Sequence, residues 1–444
     1  MDRLAEQAEA AISLMPDYEV HGRVTKVLGL LVEIAGFGGE LSIGAHVHLR
    51  PRRDQNIPCE VVGFRDEHAL LLPFGTLEGV SLDCPAVIQR TQAVIRPDER
   101  WLGRVINALG QPIDGKGPLP QGGHPIPLRN VPPPPHSRQR MGKQLDLGVR
   151  GVNTFLATCK GQRMGIFSGS GVGKSVLLSM MARYTAADVS VIGLVGERGR
   201  EVQEFLEDDL GPEGLKRSLV VVATGDESAL MRRQAAYVTL GASEYFRNQG
   251  RDVLCLIDSV TRFAMAQREI GLSAGEPPTS KGYPPTTFGE LSRLLERAGP
   301  GGPGQGSITG LFAVLVEGDD HNEPVSDAVR GIVDGHIVME RDIADRGRYP
   351  AINVLKSISR SMPKVHNEWQ NSVIRRAKQV VSSYEDMAEL IRLGAYRKGS
   401  DPKVDEAIRL YPQIEEFLTQ NKDDNTNVTE SFKRLAAIVG IKEG

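Results

Sequence analysis

Residues 166–177 read "IFSGSGVGKSVL", and the fold of the whole chain turns on this stretch. The preceding "MGIF" is the end of a buried strand, and "SVLLSMMARY" after it has the apolar spacing of an amphipathic helix. A tight turn between them needs Gly169, Gly171 and Gly173, because glycine takes positive φ freely and lets backbone N–H groups close on a ligand. Those N–H groups and the following helix N-terminus make an anion site. Ser168, Gly169, Ser170, Gly171, Val172, Gly173, Lys174, Ser175 and Val176 are therefore expected to cradle a nucleotide's phosphates. Lys174 reaches the outer phosphates and the Ser175 hydroxyl ligates Mg²⁺. The pattern G-x-x-x-x-G-K-[ST] opens on glycine, and Ser168 stands in that place. A flexible Gly/Ser connector would need neither the G-K-S nor the flanking strand and helix.

Outward from the loop, apolar runs alternate with helical segments: "VSVIGLV", "SLVVVAT", "VLCLID", "ITGLFAVLV" and "GHIVME". Such runs predict a parallel sheet covered on both faces. Asp258 closes "VLCLID" at a strand's C-terminal end, where ligands of open α/β sheets bind, and can hold Mg²⁺, partly through water. Glu197, in "IGLVGERGREV", follows another strand. It either orients an attacking water or satisfies the free N–H groups of a helix start. Arg360 follows the strand-like "YPAINVL", and nothing local distinguishes it from a solvated turn arginine.

The chain of 444 residues has room for two or three domains, with 40% apolar and 25% charged residues. A net charge of −3 calls for neither nucleic acid nor an anionic membrane. Cys59, Cys84, Cys159 and Cys255 are scattered, which suits a reducing cytoplasm and argues against a zinc site. The first residues lack the apolar stretch of a signal peptide, and no apolar run approaches membrane-spanning length. Residues 1–18 are expected to hold a short helix with Leu4, Ala8, Ala11, Ile12 and Met15 on one side. Residues 19–97 alternate β-prone runs with glycine turns and predict a small β-barrel. Residues 98–144, with four consecutive prolines from Pro132, read as an extended surface connection. Residues 145–363 form the α/β core, and 364–444 read as helical.

These motifs resemble the catalytic ATPase family of rotary synthases and type III secretion, from about residue 20 to the end. The marks are "GSGVGKS", "GERGREV", "LIDSVTRFAMAQREIGLSAGEPP", "KGYPPTTFGELSRLLERAG", "SDAVRGIVDGHIVMERDIADRGRYPAI" and "SISRSMP". The phrase "VEGDDHNEPVSD" at 316–327 resembles the flagellar protein-export branch more than the injectisome branch. The resemblance implies an N-terminal β-barrel, a central RecA-like P-loop core and a C-terminal helical domain. It implies ATP and Mg²⁺ as substrate and cofactor. Glu197 matches the family's catalytic glutamate, and Arg198 and Arg262 match arginines close to the γ-phosphate. Tyr349 matches an aromatic that stacks on adenine. Arg360 matches an arginine finger acting in the neighbouring subunit of a six-membered ring. The implied partners are further copies of the chain, a central stalk-like export chaperone and a cytoplasmic negative regulator docking on residues 1–18. Export-gate membrane proteins and export substrates with their chaperones complete the set, with no nucleic acid. The implied place is the cytoplasm, peripherally at the inner-membrane export apparatus.

A hexameric RNA translocase also sets a barrel before a P-loop core. Its barrel needs stacking aromatics and a basic groove, whereas residues 20–97 hold only Phe37, Phe64 and Phe74 among mixed charges. A nucleotide-binding scaffold would leave Glu197 and Arg360 idle. A rotary-synthase catalytic subunit would need a second kind of subunit in the ring.

Overall fold

The computed structural model describes residues 21–52, 55–90, 93–316 and 323–442. The helix expected at 1–18 lies outside the described residues, as do residues 317–322 of the "VEGDDHNEPVSD" phrase. By compactness the chain divides into two units. One comprises the described residues up to Val94, with Ser228–Leu230 and Glu269–Pro277; the other holds the remainder.

The first unit is built on six strands, β1 (His21–Leu28), β2 (Leu31–Ala35), β3 (His46–Leu49), β4 (Ile57–Arg65), β5 (His68–Pro73) and β6 (Pro85–Arg90). They close in the order β1-β2-β5-β4-β3-β6. Closure leaves no unpaired sheet edge. Alternate side chains point inward, so Val24, Val32, Ile34, Val47, Leu49, Val61, Ala69 and Leu71 make a separate core.

The second unit is laid on a nine-stranded sheet. Its main path uses β7 (Val105–Asn107), β8 (Arg163–Ser168), β9 (Val189–Glu197), β10 (Ser218–Thr224), β11 (Val253–Asp258), β12 (Ser307–Leu315), β13 (Gly335–Met339) and β14 (Ile352–Ser359). The order is β14-β13-β8-β12-β11-β9-β10-β7, and Gly299–Pro300 pairs with β12 off this path. The pairings from β13 to β7 are parallel, whereas β14 and the off-path Gly299–Pro300 run antiparallel to their neighbours. The strands are buried end to end, which is why they read as continuous apolar runs.

Residues 98–144 are more than the surface connection expected. Val105–Asn107 joins the sheet as its edge strand beside β10. Trp101 is buried, donating its indole N–H to the Pro120 carbonyl at 2.7 Å, and Arg104 pairs with Asp114 at 2.7 Å. A strand of three residues is too short to show a period among so many prolines and glycines.

Three helices close the chain: Glu368–Arg392, Pro402–Leu418 and Val428–Val439. Asn367 and Gln370 form a reciprocal capping box at the first. Asp401 and Asn427 cap the other two. Val373, Ala377, Ala407, Ile414 and Phe432 from these helices belong to the same hydrophobic core as the sheet's Ile166, Leu254 and Ile337. The C-terminal helices thus pack as part of the second unit and not as a compact body of their own.

Candidate active site

Strand β8 ends at Ser168, and the helix Lys174–Tyr184 begins six residues later. Between them, Gly171 at φ 77° and Gly173 at φ 83° make the turn the sequence demanded. Gly173 has a second reason to be glycine, since a Cβ there would stand 3.2 Å from the Tyr349 ring. The loop walls a cavity of about 310 Å³ lined by Gly169, Ser170, Gly171, Gly173, Lys174, Ser175 and Val176 on one side. Gly196, Glu197, Arg198, Glu201, Arg262 and Leu315 complete it. Val172 turns into the core, and the Ser168 hydroxyl is buried without a hydrogen-bond partner among the described residues.

Charge is concentrated on one ammonium. Lys174 Nζ bonds the Asp258 carboxylate at the end of β11 and lies 3.8 Å from Glu197 Oε1. Burial alone would lower the Lys174 pKa, but the charges of Asp258 and Glu197 hold it above its ordinary value. Glu197 is raised to about 7, first by burial and then by the Asp258 carboxylate, against the pull of Lys174. A carboxyl poised there suits general-base work near neutral pH.

Glu197 sits where β9 is irregular in its pairing with β10. Gly196 takes φ 76°, and a Cβ on it would meet Arg262 Cβ at 2.8 Å, so glycine lets the arginine stem pass. Arg198 is largely exposed and pairs with Glu201 at 3.1 Å. Tyr349 is half-exposed, its carbonyl accepting from Gln420 N–H at 2.8 Å. Arg360 is brought to none of this. It follows β14 with its side chain exposed and does not line the cavity.

Sequence reasoning passed over three groups. Glu201 lines the cavity and hydrogen-bonds Glu197. Burial raises it, but that bond and Arg198 outweigh burial and lower its pKa. Its spacing, one helical turn after Glu197 in "GERGREV", was the available signal. Arg341 donates to the Ser170 carbonyl at 3.0 Å, and Gln420 holds Tyr349 from the connection after the helix Pro402–Leu418. Neither carries a local signature.

Residues 148–359 match the ATP synthase alpha/beta family nucleotide-binding domain, and residues 367–437 match the T3SS EscN ATPase C-terminal domain. A flagellum-specific ATP synthase of Caulobacter vibrioides is 59% identical over 435 residues, covering 97% of this chain and 98% of that protein. The chain belongs to the flagellum-specific ATP synthase family. This family stands close to the type III secretion ATPases. A type 3 secretion system ATPase of Xanthomonas euvesicatoria is 43% identical over 419 residues, 94% of either chain. The assembled ATPase EscN in complex with its central stalk EscO, from the enteropathogenic E. coli type III secretion system, superposes with a TM-score of 0.86. It is 37% identical and covers 94% of this chain and 100% of its own.

Proposed function

We propose that this chain hydrolyses ATP to ADP and phosphate in the cavity between the loop 169–175 and Glu197, and that a ring of identical copies spends that hydrolysis on flagellar type III protein export. The carrying observation is that Lys174 and Glu197 line one cavity and that the Lys174 ammonium also bonds Asp258, with Glu197 and Asp258 at the C-terminal ends of β9 and β11 and Lys174 following the loop after β8. A greater identity to a flagellar relative than to the Xanthomonas secretion ATPase supports export over virulence secretion.

Gly169–Ser175 receives the phosphates on backbone N–H groups, and Val172 anchors the loop in the core. The Ser175 hydroxyl and the Asp258 carboxylate are hard oxygen donors that fit Mg²⁺. Mg²⁺ is commonly held by one or two protein oxygens together with substrate phosphates. When bound, Mg²⁺ neutralises phosphate charge. Glu197 orients water for in-line attack and takes its proton. Lys174, Arg198, Arg262 and a neighbour's Arg360 spread the charge that develops. Tyr349 offers its exposed face to adenine.

A six-membered ring supplies Arg360 in trans. The EscN–EscO complex supports a central stalk-like partner. Residues 1–18 dock the negative regulator, and the ring works in the cytoplasm against export-gate membrane proteins, substrates and chaperones. No described helix is long and apolar enough to cross a membrane.

Glu197→Gln is the direct test. The amide keeps the size and loses the base. Phosphate release is expected to vanish while fluorescent-nucleotide titration shows affinity within a few-fold; near-normal turnover would overturn the assignment.

A further inference from the structure

Beside β14, a groove of about 570 Å³ opens against the helices Glu368–Arg392 and Pro402–Leu418. Leu355 and Val380 line it together with Arg375, Arg376, Lys378 and Lys403. The one lining carboxylate, Glu406, is already ion-paired with Arg376. Residues 372–381, "SVIRRAKQVV", carry three cations and no acid. Lys378 is half-buried with no hydrogen bond or ion pair among the described residues, and burial pulls its ammonium below the ordinary value. An uncompensated, partly desolvated cation costs free energy until an anion reaches it.

The same chain carries a surface of opposite sign. Residues 201–213, "EVQEFLEDDLGPE", hold six carboxylates and no Lys or Arg. They follow Glu197 after Arg198, Gly199 and Arg200, and run through the helix Gly199–Glu204, the turns of Phe205–Leu210 and the start of the helix Gly211–Lys216. Phe205 and Leu210 anchor the segment in the core, leaving Glu207 and Asp208 exposed. Glu207 is engaged only by the Gln203 amide, at 3.2 Å, and the Asp208 carboxylate makes no ion pair among the described residues. Arg198, Arg200 and Lys216 pair with Glu201, Glu204 and Glu213 at 3.1, 2.7 and 2.6 Å, and Lys422 with Asp209 at 3.5 Å, so Glu207 and Asp208 are the carboxylates of the segment left without an ion pair among the described residues.

The sheet order keeps these surfaces apart. The groove flanks β14, the edge strand, and the acidic segment follows β9, five places along. One chain cannot satisfy itself, but a head-to-tail contact joins two different faces of neighbouring copies. Arg360 leaves β14 at the groove's edge of the sheet, and the acidic segment leaves β9 beside the cavity. A copy presenting the groove therefore presents Arg360 with it, and a copy presenting the acidic segment presents its cavity.

We propose that Arg375 and Lys378 of one copy dock on Glu207 and Asp208 of the next, an electrostatic latch that sets the ring's register and delivers Arg360 to the neighbouring cavity. This rests on the ring proposed above. Charge complementarity of this kind fixes register and suppresses wrong pairings.

The test uses two full-length double variants, Arg375→Glu with Lys378→Glu, and Glu207→Lys with Asp208→Lys. Ring formation is followed by sedimentation across protein concentration with a non-hydrolysable ATP analogue. Monomer folding is checked by nucleotide affinity, which neither variant should change. Each variant alone is expected to need about tenfold more protein, or higher still, for half-assembly. An equimolar mixture is expected to recover wild-type assembly, because alternating copies restore opposite charges at every contact. Unchanged assembly of either variant, or loss in both without recovery on mixing, would overturn the latch. Loss with the groove variant alone would hand the groove to another anionic partner and equally overturn it. A wild-type chain that forms no ring would instead overturn the ring reading beneath it.

Discussion

Lys174 holds two carboxylates together: without its ammonium, Asp258 and Glu197 would face each other in a half-closed cavity. Among the described residues it is also the only lysine lining that cavity. Replacing it with alanine removes a charge-assisted contact of about 1.5–3 kcal/mol. Lys174→Ala is therefore expected to weaken nucleotide binding by roughly 10- to 100-fold and to abolish turnover. Fluorescent-nucleotide titration checks this, and an unchanged affinity would mean that the phosphates are cradled elsewhere. At this scale the sequence was most legible. The loop is one contiguous motif whose chemistry is carried by backbone and by adjacent side chains. Glu197 and Asp258 each close a recognisable strand. Glu201 escaped because one acidic residue in a helix's first turn usually serves the helix end.

The C-terminal helices show where local reading stops. They were legible as helices from their apolar spacing, but not their dependence on Arg150. That arginine looks ordinary in "LGVRGVNTF", yet it is buried and donates to the Phe417 carbonyl at 2.8 Å and to the Thr419 carbonyl. Gln420 accepts from Arg150 N–H at 2.9 Å and donates to the Gly148 carbonyl. These partners lie some 270 residues along the chain, beyond any window of periodicity. The strand Val105–Asn107 was missed for the opposite reason, being too short to have a period. His366 supplies the element's pH dependence. It precedes the capping box, packs edge-on against Phe432 with ring centroids 5.1 Å apart, and neither ring nitrogen has a hydrogen-bond partner among the described residues. Burial lowers its pKa from 6.5 to about 4. Above pH 6.5 both folded and unfolded states are neutral here and the full stability is present. Below 6.5 the unfolded chain takes the proton first, so stability drains away until the folded pKa near 4 is passed. Wild type is expected to lose up to about 1.4 kcal/mol per pH unit more than His366→Leu across that window. Denaturant unfolding at pH 7, 6 and 5 reads the difference, and equal slopes would contradict it.

At the scale of the whole molecule, the proposed site draws one arginine from a neighbouring copy. Arg198 and Arg262 line it, while Arg360 stands exposed at the far edge of the same sheet. Among the described residues that guanidinium does not line its own cavity, and the head-to-tail ring proposed above would carry it to the next copy's. Mixing Lys174→Ala with Arg360→Ala chains tests this most directly. Each variant is inactive alone, one for want of the cradle's cation and the other for want of the finger. In mixed rings, an Arg360→Ala copy with an intact loop can lie against a Lys174→Ala copy with an intact arginine, and that contact is complete. Phosphate release from rings shown to contain both chains is predicted to reappear; rings demonstrably mixed yet still inactive would contradict a site shared between subunits.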